Sequence, residues 1–142
     1  MPPSPRLLAI VDALPLRPDM RVLELGCGPG VAARLVAARL TTGHILATDR
    51  SATAIAQATA GSAAEIASGR MSVRQVAAEE FVRAPGEDPY DLVFANRVGA
   101  LDGRRPDLAV PVRARLAEAA GPGARLFVDG REYSMMGPWP SQ

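Results

Sequence analysis

Val22-Leu23-Glu24-Leu25-Gly26-Cys27-Gly28-Pro29-Gly30 decides the fold of this chain. Three apolar residues and one carboxylate run without a break into glycines at alternate positions. A short apolar run bounded by turn residues reads as a buried strand. The glycines accept backbone angles closed to other residues, and their missing Cβ lets a ligand lie against the chain. Leu35, Val36 and Leu40 follow at helical spacing and predict a helix over 31–40, stopped by Thr41-Thr42-Gly43. In a parallel sheet, a turn between a strand and its helix lies at the carboxyl edge, where α/β proteins bind ligands.

Outward from this segment, helix-like and strand-like stretches alternate. Strands are expected at 21–25, 44–48, 71–76, 91–95 and 125–129. Helices are expected at 6–14, in an alanine-rich stretch from the Ser51 cap to about 67, and at 108–120. Gly61 should kink or shorten the alanine-rich helix. Glu79-Glu80-Phe81 opens a loop or short helix, Gly121-Pro122-Gly123 reads as a turn, and 130–142 reads as irregular. The pattern predicts an α/β fold, a Rossmann-like three-layer sandwich with a mostly parallel five-stranded sheet. No internal repeat or domain boundary is legible, so 1–142 is expected to be one domain.

The composition narrows the function classes. A 142-residue chain can bury roughly 70% of the surface its unfolded form exposes, enough for a core without staples. Its formal net charge of +1 gives no general pull toward nucleic acid or an anionic membrane. The basic side chains are all arginine, which reads first as codon bias. The single cysteine, Cys27, excludes an internal disulfide, and no His/Cys cluster offers a metal cage. No signal peptide or membrane span is legible, so the expected setting is the cytoplasm.

Two carboxylates discriminate between cofactors. Glu24 lies near the end of a buried strand, where an unpaired carboxylate is costly. A cofactor with a cationic amino-acid tail would supply its partner, whereas a pyrophosphate would be repelled. Asp49 ends the second strand, nineteen residues beyond Gly30. Carboxylates there accept hydrogen bonds from ribose hydroxyls. A dinucleotide fingerprint wants G-x-G-x-x-G. Ala33 satisfies the form ending in Ala, but Pro29 sits where a pyrophosphate would dock. S-adenosylmethionine is favoured, and a nicotinamide or nucleotide-sugar enzyme is the weaker alternative.

These residues resemble the class I S-adenosylmethionine-dependent methyltransferases. The family's first motif, roughly E/D-x-G-x-G-x-G, is matched by Glu24, Gly26, Gly28 and Gly30, and its ribose-binding acid by Asp49. The resemblance runs from about residue 6 to 129 and includes the fourth-strand segment Tyr90-Asp91-Leu92-Val93-Phe94-Ala95-Asn96. It implies that the cofactor is held by Glu24, Gly26, Cys27, Gly28, Gly30, Asp49, Arg50, Ala78, Glu79 and Asn96. Ala77 stands where the family often has the Asp that binds adenine. Glu79, or backbone and apolar contacts alone, would take over that task.

The implied reaction is methyl transfer to the O, N or C of a small-molecule acceptor; a non-catalytic cofactor-binding accessory or regulatory domain is the alternative. No catalytic residue is assigned. His44, the only histidine, starts the second strand and so lies at the wrong edge of the sheet. Asn96 lies at the correct edge and is followed by Arg97-Val98-Gly99 rather than Pro-Pro-aromatic, which disfavours nucleobase or glutamine amino groups as acceptors. Glu132 and Tyr133 are either pocket residues or tail residues. Cys27 reads as a packing residue of the turn. Family members usually carry an antiparallel hairpin after the fifth strand, and this sequence, with thirteen residues beyond Asp129, is expected to lack it. An uncovered edge strand invites association, so a homodimer is expected.

Overall fold

The computed structural model describes residues 2–140. Its first strand, β1, is Arg21–Leu25, with Val22 to Leu25 all buried. Such continuous burial is what a parallel strand covered on both faces requires. Strands β2 (His44–Asp49), β3 (Met71–Gln75), β4 (Tyr90–Ala95), β5 (Ala120–Val128) and β6 (Arg131–Tyr133) complete one six-stranded sheet in the order β3-β2-β1-β4-β5-β6. The first five are mutually parallel and β6 is antiparallel to β5. The chain moves outward through β2 and β3, then returns to the other side of β1. The order therefore reverses between β1 and β4, the position where open α/β sheets form a binding crevice.

Helices cover both faces. Val11 of α1 (Pro5–Ala13), Ala33 and Val36 of α2 (Val31–Ala37) and Ala58 of α3 (Ala52–Gly61) pack with Val22, Ile45, Ala47, Leu92 and Phe94. On the opposite face, Leu101 of α5 (Gly99–Asp102) and Val112 and Leu116 of α6 (Ala109–Ala119) pack with Leu23, Leu25, Val93 and Leu126. The short α4 (Ala63–Ala67) is separated from α3 at Ser62, as the glycine at 61 foretells. The break has a packing cause. The buried Ser62 hydroxyl accepts from Arg34 Nη1 at 3.0 Å, and a Cβ at Gly61 would lie 3.1 Å from that same nitrogen. No helix among the described residues is long and apolar enough to cross a membrane.

Two expectations are corrected at the carboxyl end. The sheet has six strands rather than five, and an antiparallel hairpin follows β5 where an irregular tail was expected. Its loop is Asp129-Gly130, with φ of 49° and 85°. Two central residues at positive φ make the turn that matches strand twist, and Asp-Gly is a favoured pair for it. Arg125 on β5 and Glu132 on β6 add a bidentate ion pair, with both contacts at 2.7 Å. The hairpin covers the β5 edge only over Leu126–Val128. Within β5, pairing with β4 jumps from Tyr90↔Ala120 to Leu92↔Arg125, so the Gly-Pro-Gly stretch bulges out of register. Ser141 and Gln142 lie outside the described residues.

Candidate functional site

The glycine turn is fixed by the strands around it. Cys27 N donates to Thr48 O at 2.8 Å, and Thr48 Oγ1 donates to Glu24 O at 2.8 Å, tying β1 to β2. Asp49 closes the cradle. Its Oδ2 accepts from Gly28 N and its Oδ1 from Ser51 N, each at 2.9 Å. One carboxylate thus orients both the turn after β1 and the start of α3. Each of its oxygens keeps a further lone pair for a ligand hydroxyl.

The three glycines have different tasks. All have positive φ: 69° at Gly26, 54° at Gly28 and 89° at Gly30. A Cβ at Gly26 would lie 2.5 Å from Val98 Cγ2, so this glycine admits the loop after β4. A Cβ at Gly30 would crowd Arg34 and Ala58, so that one serves helix packing. Only Gly28 faces open space, with nothing within 4 Å of a built Cβ. Backbone approach by a ligand is therefore available at Gly28.

Glu24 is 2% exposed, and its Oε1 has no hydrogen-bond partner. Burial first, and the charge of Asp49 second, push its carboxyl up from 4.5 to about 8. Asn96, following β4, has both side-chain polar atoms shielded and without a partner. Glu24 pairs in register with Phe94 and shares its face of the sheet, and Asn96 follows directly on the last residue of β4. An unsatisfied buried polar group costs about 1–3 kcal/mol. Two such residues, one on β1 and one just past the end of β4, leave polar groups for a ligand to satisfy.

A cavity of about 220 Å³ opens at this edge. Among the residues expected from sequence, Gly26, Asp49, Arg50, Ala78 and Glu79 line it. Glu24, Cys27, Gly28, Gly30 and Asn96 do not. Sequence reasoning missed the opposite wall, which is Arg97, Val98, Gly99, Ala100, Arg105 and Leu108 from the connection between β4 and α6. Arg97 has φ of 58°, and its N–H donates to Asp129 Oδ1 at 2.8 Å. The Arg97-Val98-Gly99 run carried a signal, a loop beginning at the carboxyl end of a strand beside the switch point.

Other candidates fall away from the cavity. His44 lies at the amino edge, with Nδ1 2.8 Å from Gly69 O and Nε2 2.7 Å from Ser72 Oγ. A carbonyl only accepts, so Nδ1 is the donor to Gly69 O. Cys27 is buried, and burial, with Glu24 and Asp49 behind it, pushes its thiol up to about 12, which suits packing. Glu132 is tied to Arg125 on the outer hairpin. Neither Glu132 nor Tyr133 lines the cavity.

The methyltransferase domain family matches residues 22–121, most of the chain. The chain belongs to the class I S-adenosylmethionine-dependent methyltransferases. Among curated relatives of this methyltransferase domain, a trans-aconitate 2-methyltransferase of Streptomyces avermitilis is 37% identical over 94 residues, covering 66% of this chain and 34% of the relative. A trans-aconitate 2-methyltransferase of Variovorax paradoxus is 34% identical over 94 residues, covering 66% and 32%. The chain therefore spans about a third of the length of these two relatives. A methyltransferase of Geobacter sulfurreducens, solved with S-adenosylhomocysteine, shares the fold with a TM-score of 0.67 at 23% identity, over 88% of this chain and 47% of that one.

S-adenosylmethionine is the family's cofactor, and the site's chemistry fits it. The unpartnered Glu24 Oε1 suits a cationic amino-acid tail, the spare lone pairs of Asp49 suit a ribose diol, and the open face of Gly28 admits the ligand.

Proposed function

We propose that this domain binds S-adenosylmethionine across the glycine turn and promotes methyl transfer to a small-molecule acceptor held over the ends of β4 and β5. The observation that carries the reading is the buried, unpartnered Glu24 carboxyl beside the open face of Gly28 and the oriented Asp49. The names of the curated relatives support a small acceptor.

The bound cofactor supplies a methyl group already activated on a sulfonium. The chain's residues then have three tasks. Asp49, held by Gly28 N and Ser51 N, accepts from the sugar hydroxyls. Glu24, acting directly or through water, meets the cationic tail, with Asn96 at hand for the tail or the acceptor. Ala78 and Glu79, with Arg50, border the adenine end of the cavity, where Ala77 provides no carboxylate. Holding donor and acceptor in line can supply around 7–11 kcal/mol, so no elaborate catalytic constellation is required.

Calorimetry with S-adenosylmethionine and its demethylated product tests the binding step, and transfer of a labelled methyl group tests the reaction. Micromolar binding and label in a small acceptor are expected. Absence of binding overturns the reading. A second reading, a binding module without chemistry, draws on Ala77 and on the removal of His44 and Cys27 from the list of bases. Tight binding with no transfer to any acceptor would establish it.

A further inference from the structure

The glycine turn is held at three of its four residues through backbone N–H groups. Cys27 N donates to Thr48 O, Gly28 N to Asp49 Oδ2, and Gly30 N to Cys27 O. Pro29 has no N–H to give. Its carbonyl is the one hydrogen-bonding group by which the remaining peptide can be fixed, and Arg34 takes it. In a helix the side chains lean toward the N-terminus, so a long side chain at 34 reaches back over the turn that precedes α2. Arg34 Nη1 donates to Pro29 O and to Ser62 Oγ, each at 3.0 Å. Ser62 is fully buried where α3 gives way to α4. One guanidinium nitrogen therefore ties the back of the glycine turn to a helix junction on the same face of the sheet.

Two glycines make room for that nitrogen. A Cβ at Gly30 and a Cβ at Gly61 would each lie 3.1 Å from it. Gly61 is not among the glycines at positive φ, so its bare Cα answers to space rather than to backbone angle. Among the described residues Arg34 forms no ion pair, so its charge is met by a carbonyl and a hydroxyl alone. Hydrogen bonds from a charged donor are roughly twice as strong as neutral ones. Arg34 does not line the cavity assigned above to the cofactor.

We propose that Arg34 is a positioning residue of the cofactor cradle. By holding Pro29 O from behind the turn it keeps the face of Gly28 open, without touching the ligand. The proposal rests on the reading of this turn as the S-adenosylmethionine site. Once Arg34 is removed, the peptide between Pro29 and Gly30 can rotate, and the turn samples shapes in which Gly28 is no longer presented. Affinity then falls in proportion to the fraction of molecules that keep the open shape.

The test uses the full chain and S-adenosylhomocysteine in calorimetry. Arg34→Met keeps an apolar stem and removes both bonds, and it should raise the Kd about ten- to thirtyfold. Arg34→Lys restores a cationic donor and should recover most of that loss. Ser62→Ala removes only the helix-junction anchor. It should lower the melting temperature while leaving the Kd close to that of the parent. The ¹⁵N shift of the Gly30 amide, whose nitrogen is bonded to the Pro29 carbonyl carbon, should move in Arg34→Met and return in Arg34→Lys. Should Arg34→Met not fold, Gly61→Ala replaces it. Its methyl group displaces the guanidinium without removing it, and it should raise the Kd and move the Gly30 shift in the same direction.

An unchanged Kd in Arg34→Met, or in Gly61→Ala where that variant stands in, overturns the proposal and leaves the cofactor reading intact. So does a Kd that follows the melting temperature equally in Arg34→Met and Ser62→Ala, which is what a purely structural role would give. Failure of the parent chain to bind S-adenosylhomocysteine removes the cofactor reading and the proposal together.

Discussion

Two neighbouring parts of one sheet edge are constructed by opposite means. At the ends of β1 and β2 the polar groups interlock, with Asp49 joined to Gly28 and Ser51, Thr48 joined to Glu24 O, and Cys27 joined to Thr48. At the ends of β4 and β5 a single carboxylate, Asp129, holds the loop through Arg97 N, with the Arg6 guanidinium 3.9 Å away. Under the proposed function, the first region sets acids beside a cation-bearing cofactor. The comparison shows how two turns on one sheet edge can be fixed differently, one by an interlocking set of backbone and side-chain bonds and the other by a single carboxylate.

Gly28→Val should have the largest effect. A branched side chain would fill the space left open at this position and would be strained at φ of 54°, a left-handed conformation costing about 1–2 kcal/mol. Calorimetry should show no cofactor binding, while circular dichroism shows the fold retained. Retained binding would dissolve the distinction between the open cradle and its surroundings.

Asp49→Ala comes next. Loss of charge-assisted bonds to the ribose should weaken cofactor binding by about 2–4 kcal/mol, roughly thirty- to a thousandfold. Melting should also drop, because Gly28 N and Ser51 N lose their acceptor. An unchanged Kd would mean that the sugar is held elsewhere.

The buried Glu24 sharpens the comparison through pH. Its carboxyl is raised to about 8 in the free protein, so below that pH it is protonated and offers no charge to a cationic tail. Cofactor affinity should rise as pH increases from 6 to 8, by up to about a hundredfold, and level off above. Glu24→Gln should remove this dependence. The linked effect on the free protein has the opposite sense. A raised folded-state value means that the group's contribution to stability is full below about 4.5 and declines as pH climbs through about 8. Thermal melts across that range should show the decline, and Glu24→Gln should flatten it.

The smallest effect on binding is expected at Gly130→Ala. The φ of 85° and a Cβ only 3.2 Å from Ile10 Cγ1 should lower stability by about 1–2 kcal/mol. The cofactor Kd should be unchanged, since this turn belongs to the second region alone. A parallel loss of affinity would show that the two regions act as one unit.

The legibility of the chain follows the same division. β1, its glycines and Asp49 were readable because each rests on local chemistry, such as continuous apolar burial, positive φ and a carboxylate at a strand end. The β5–β6 hairpin was missed although Asp129-Gly130 names its turn type. β6 is only three residues long, too short for alternation to register, and the prolines after it suggested irregular chain. The far wall of the cavity was missed for a different reason. Val98, Gly99 and Leu108 reach the cavity only when the loop after β4 folds across Gly26, a contact between residues about seventy positions apart.

By itself, then, the sequence determined the alternation of strands and helices, the glycine turn and the two acids beside it. These depend on backbone angles and burial that neighbouring residues dictate. The tertiary structure alone decided which glycine is open to a ligand, that Glu24 and Asn96 are left without partners, and that Asp129 meets the Arg97 amide and the Arg6 guanidinium. Space, hydrogen-bond satisfaction and charge balance are set by residues brought together across the sheet, and no local pattern records them.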